Sequence, residues 1–130
     1  MNFFTEDSIL DPAQGITIEG IGKGEAGTII HPSLNAKVQF LVITTNDGAH
    51  GFTKDNDPTK YRILGQCENK PPEPIINGII DLPAARNKTI EIPIFAEKEY
   101  KYYWIFFKNK KSNKMKVKVQ LKAKKLAPSN

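Results

Sequence analysis

In Lys114-Met115-Lys116-Val117-Lys118-Val119-Gln120-Leu121-Lys122, four apolar residues alternate with polar ones. Met115, Val117, Val119 and Leu121 share one parity; Lys114, Lys116, Lys118, Gln120 and Lys122 share the other. Successive side chains of a strand point to opposite faces, so a period of two describes a strand with one buried and one solvated face. Wound as a helix, the same lysines would be scattered round the whole circumference.

The same period recurs upstream. Residues 36–45 carry Val38, Phe40, Val42 and Ile43, all suited to a pleated surface. Residues 88–95 alternate through Ile90, Ile92 and Ile94, and Pro93 there removes a ladder donor, which marks a sheet edge or a bulge. Shorter segments at 16–19, 27–31, 61–65 and 75–82 read as further strands. Residues 101–108 contain Tyr102-Tyr103-Trp104-Ile105-Phe106-Phe107, apolar on both parities.

Turn signals separate these runs: Asn46-Asp47-Gly48, Asp55-Asn56-Asp57-Pro58 and Asn109-Lys110-Lys111-Ser112-Asn113. The last joins two strong strands by five polar residues and predicts a C-terminal hairpin. Seven or eight short strands punctuated in this way predict an all-β chain: a single antiparallel β-sandwich, immunoglobulin-like or jelly-roll-like. A Pro-rich crossover at residues 70–74 and a central strand near Phe40 suit the immunoglobulin-like form, although its cysteine pair and buried tryptophan are not arranged here. The expected organisation is an N-terminal arm over residues 1–14, the sandwich over 15–125 and a tail over 126–130.

At 130 residues and 39% hydrophobic content the chain suits one core. Its longest apolar run has six residues, whereas a spanning helix needs about 20. The first residues, Met1-Asn2-Phe3-Phe4-Thr5-Glu6-Asp7, carry no secretory pattern, so the expected location is cytoplasmic, or exported by a non-classical route. The formal charge of +5 is unevenly placed. Residues 97–130 hold eleven lysines against Glu97 and Glu99, a net +9, while residues 1–96 sum to −4.

Several local patterns lose their chemistry in context. Gly22-Lys23-Gly24-Glu25-Ala26-Gly27 matches a dinucleotide fingerprint but runs into strand-forming residues where a helix should open. His31 and His50 lack a third ligand at metal-site spacing, and nothing near Cys67 carries a cysteine-hydrolase signature. Pro71-Pro72-Glu73-Pro74 is a PxxP match without a well-placed arginine, and the Asn87-Lys88-Thr89 sequon matters only in a secretory pathway. Asp47, Asp55 and Asp57 are the weak candidates for calcium, through an oxygen-rich loop. No catalytic constellation and no cofactor are expected.

Two features point to partners. One parity of the aromatic run lines the core; if the other is open, it is an apolar patch of the kind that marks an interface. Tyr103, Ile105 and Phe107 are offered as that face, together with the lysine row Lys114, Lys116, Lys118 and Lys122. The expectation is a non-enzymatic interaction or structural module within a larger protein assembly, contacting another protein or its own copies. The alternative is nucleic-acid or polyanion binding by the lysine-rich C-terminal segment, disfavoured by two arginines among nineteen cations. A third reading is a calcium- or glycan-binding loop module.

Overall fold

A computed structural model of the chain describes residues 4–20, 25–32, 37–45, 58–79, 89–109 and 115–128. Among the described residues eight strands are formed: β1 (Phe4–Gly20), β2 (Glu25–Ile30), β3 (Phe40–Thr45), β4 (Pro58–Gln66), β5 (Glu73–Ile79), β6 (Thr89–Pro93), β7 (Tyr102–Asn109) and β8 (Met115–Pro128). Every strand segment read from the sequence falls on one of them. They make two four-stranded antiparallel sheets, ordered β1-β8-β3-β6 and β2-β7-β4-β5. Among the described residues no helix is long and apolar enough to cross a membrane.

The order has a simple origin. β1 pairs with β8, β2 with β7, β3 with β6 and β4 with β5, as in one long antiparallel ribbon doubled back on itself. Rolling that ribbon brings β8 beside β3 and β7 beside β4, which closes each sheet. This is the eight-stranded jelly roll. The immunoglobulin-like alternative is thereby set aside, because there the first two strands are neighbours in one sheet. Here they lie in different sheets.

The core forms where the inner faces meet. Leu41 lies opposite Leu121 and Ile43 opposite Val119 in the first sheet, and Ile63 opposite Ile105 in the second. These six side chains are at most 1% exposed. Burying each contributes roughly 1.5–3 kcal/mol. The alternation at residues 114–122 is realised as expected, with Val117, Val119 and Leu121 inward and Lys118 outward.

Three expectations about connection are corrected. β7 and β8 are not a hairpin: they belong to opposite sheets, and residues 110–114 connect the two layers. Five residues reach roughly 16 Å, ample for the roughly 10 Å between stacked sheets, so loop length alone does not choose between the two connections. Conversely, residues 67–72 are no crossover; they join the paired neighbours β4 and β5. The arm and tail are also strand. Phe4 lies opposite Pro128 and Leu10 opposite Lys122, so residues 4–14 and 126–128 belong to the first sheet.

β8 is an inner strand between β1 and β3, so its lysines do not guard an edge. Pro93 does lie on an edge strand, β6, as its missing donor requires.

Candidate interaction surfaces

β7 presents one aromatic row to each side, and the structure assigns them opposite to expectation. Tyr103, Ile105 and Phe107 are 0% exposed and sit in the core. They are the layer on which the sandwich closes, and no partner reaches them in the folded chain. Tyr102, Trp104 and Phe106 form the half-buried outer row. Lys108 shares their parity, and an ammonium must reach water, so its position is the sequence signal for which row faces out.

The outer face of the first sheet carries the lysine row, much of it already engaged. Lys122 Nζ donates to Glu91 Oε1 at 2.6 Å and lies 5.8 Å from the Phe40 ring centroid. The stem of Lys118 lies against Gly15, leaving no room for a Cβ there. Gln120, at a polar position of the same row, is buried because its amide donates to the Pro12 and Ala13 carbonyls at 3.2 and 2.9 Å. Lys116 lies opposite Glu19 in the ladder, and Lys114 falls outside the described residues.

Beside this row runs an apolar band. Leu10 lies opposite Lys122, Lys122 opposite Phe40, and Phe40 opposite Pro93. Two residues beyond Pro93, Phe95 is 61% exposed and packs edge-on against Phe40 at 5.3 Å. Its backbone is left-handed, with φ 44°. The cause is a bulge: the Gln39 carbonyl accepts both the Ile94 and Phe95 N–H, at 2.8 and 3.1 Å, before Ala96 rejoins Val38. A left-handed bulge position ordinarily takes glycine, and a bulky residue there costs about 1–2 kcal/mol.

The second sheet's outer face is built around a clamp. Arg62 on β4 reaches across β7 to Glu25 on β2, donating from Nε and Nη2 to the two carboxylate oxygens, each at 2.9 Å. The guanidinium carbon lies 4.5 Å above the Phe106 ring centroid. The Phe106 ring lies against Gly27, where a Cβ would collide with it. Trp104 stacks beside Phe106 at 6.4 Å, and its Nε1–H donates to Gln66 Oε1 at 2.9 Å. Hydrogen bonding from Arg62 holds the Glu25 carboxyl below the usual carboxylate range. Lys60, Arg62, Asn77, Phe106 and Lys108 contribute to an open groove of about 360 Å³.

At one end of the sandwich, Lys98 Nζ and the Tyr100 hydroxyl both donate to Glu73 Oε1 at 2.7 Å, lowering that carboxyl's pKa. The Tyr100 ring lies over Gly65 and edge-on to Tyr103 at 5.6 Å. His31, Cys67, Glu68 and Glu99 line a second hollow nearby. Among the described residues no group of three or more His, Cys, Asp or Glu side chains gathers as a metal site requires. Asp47, Asp55 and Asp57 lie outside the described residues, as does His50.

No protein-family model matches the chain, and none of the curated proteins matches its sequence. Its surfaces are therefore read on their own chemistry. Phe95 and the Arg62–Glu25 clamp were absent from the sequence reading. Nothing in Pro93-Ile94-Phe95-Ala96 announces a left-handed backbone, and Arg62 and Glu25 stand 37 positions apart.

Proposed function

We propose that the chain is a non-enzymatic jelly-roll interaction module, a component of a larger protein assembly, joined to its copies through the apolar band of the first sheet. The observation that carries this reading is Phe95. A large aromatic ring is held outward, in a backbone conformation unfavourable for it, on a platform made by Phe40. Backbone strain of this kind persists where function uses it, and exposed aromatic anchors dominate the energetics of interfaces. Leu10 and Pro93 extend the band, and the Lys122 ammonium beside it is neutralised by Glu91, which lowers the cost of covering it.

One analogy also supports assembly. Eight-stranded jelly rolls serve as shell subunits, an analogy of architecture only.

The test is mass in solution, by size-exclusion chromatography with light scattering, at low and high salt. The expected result is a species heavier than the 14.6 kDa chain that persists at high salt, because the band is apolar. Phe95→Asn should dissolve it while leaving the monomer's stability within about 1 kcal/mol, since relief of the left-handed strain offsets the lost ring contact. A strict monomer under both conditions, or an assembly indifferent to Phe95→Asn, refutes the reading.

A further inference from the structure

On the opposite face of the sandwich, we propose that the outer surface of the second sheet binds single-stranded nucleic acid, with phosphates at Lys60, Arg62 and Lys108 and bases stacked on Trp104 and on the Arg62 guanidinium that caps Phe106. Positive charge is in excess on this face. Lys60 and Lys108 are direct cross-strand partners, and both are exposed. Like charges placed so are destabilising without a counter-charge. Glu25, opposite Lys108 on the other side, has both carboxylate oxygens engaged by Arg62. Among the described residues neither ammonium lies within ion-pair distance of a carboxylate, and Lys108 acts on the Glu25 carboxylate only through space. The groove therefore holds three cations against one carboxylate.

Hydrogen-bonding capacity narrows the ligand. The Gln66 amide accepts from Trp104 and donates to the Lys70 carbonyl, so both of its ends are occupied. Arg62 has five N–H donors, of which the clamp uses two. Apart from the Asn77 amide, the Tyr61 hydroxyl and the remaining lone pairs of Glu25, the open side-chain groups are donors, so donors outnumber acceptors. A neutral sugar, whose hydroxyls must also donate, is poorly served by such a site. An acceptor-rich anion suits it, and phosphate is one.

The rings select among phosphate ligands. Alternate side chains on a strand stand about 6.8 Å apart, so Tyr102, Trp104 and Phe106 form a row of half-buried rings along β7, with Phe106 capped by Arg62. Sheet surfaces that bind single strands use such rows to stack unpaired bases, with cations tracking the backbone. The Arg62 guanidinium, fixed flat over Phe106, adds a stacking plane that needs no further ordering. Duplex does not fit this arrangement, because its bases are already stacked on one another.

Trp104 is the chain's only tryptophan, so its fluorescence reports from within the site. The experiment titrates the full chain with an oligothymidylate of about ten nucleotides, and in parallel with a duplex and with polyglutamate. The single strand should quench Trp104, and log affinity should fall against log salt with a slope near −2, about 0.7 per phosphate contact. Lys60→Gln combined with Lys108→Gln should weaken binding and flatten that slope by about 1.4. Lys118→Gln, on the first sheet, should change neither. All three lysines are exposed, and an unchanged melting curve verifies the fold of each variant. No quenching at low salt, equal quenching by duplex or polyglutamate, or sensitivity to Lys118 in place of Lys60 and Lys108 would overturn the proposal. Because the two readings use opposite faces, either can fail without the other.

Discussion

The Tyr103 hydroxyl is sealed in the core without a hydrogen bond of ordinary geometry. Burial pushes its pKa up to about 12, opposed by the backbone of Val38 and Tyr100. An unmade hydrogen bond in an apolar core is a liability that phenylalanine does not share. Tyr103→Phe should therefore leave the unfolding free energy unchanged or raise it by about 1 kcal/mol. A loss greater than that in chemical denaturation would mean the hydroxyl has a partner that the static geometry conceals. Phe95 is the mirror case, an apolar ring at the surface. Neither oddity is visible as a residue type: what distinguishes them is burial for the one and a backbone angle for the other, both set by strands distant in sequence.

Among the elements, β7 is the one on which both faces of the second sheet depend. Its period of two was plain in the sequence, yet six consecutive apolar residues made the two parities look alike. Lys108 alone carries the signal that separates them, and the row expected to be open was the buried one; at residues 114–122 the lysines make the same decision unmistakable. The packing of β7 on β2 is equally demanding. A Cβ on Gly27 would lie 2.5 Å from the Ile105 carbonyl oxygen and closer still to the Phe106 ring. The ring can turn aside but the carbonyl belongs to the ladder. Gly27→Ala should cost about 1–3 kcal/mol. It should also tilt Phe106 away from Arg62 and alter Trp104 emission; an unperturbed spectrum with full stability would show that the strands separate more easily than drawn.

For the whole molecule, stability against pH has two limbs. Glu25 and Glu73 have lowered pKa values in the fold, from Arg62 and from Lys98 with Tyr100 respectively. Their contribution is present above the ordinary glutamate range and is lost as pH falls through the folded values. Tyr103 works in the opposite sense. Its neutral form is favoured, so its contribution is intact below about pH 10, the ordinary phenol value. It is lost as pH rises through about 12. Melting temperature should thus be level from roughly pH 5 to 10 and fall at both ends. The acid limb should be shallow, because both carboxylates are solvent-screened. A single-sided profile would contradict these assignments. Strand positions and the all-β class were legible at this scale because periodicity is local. Sheet membership was not: residues 110–114 are long enough for a hairpin or for a step between layers, and only the collective pairing of eight strands decides.

The doubled ribbon also brings the outer ends of its first and last strands together. Phe4 and Pro128 face each other across one ladder rung, about 5 Å apart. The fold can therefore be spliced into the tip of a loop of some other protein without prising that loop open. Grafted there, it would hang from its host by two adjacent threads, with both broad faces clear of the attachment point.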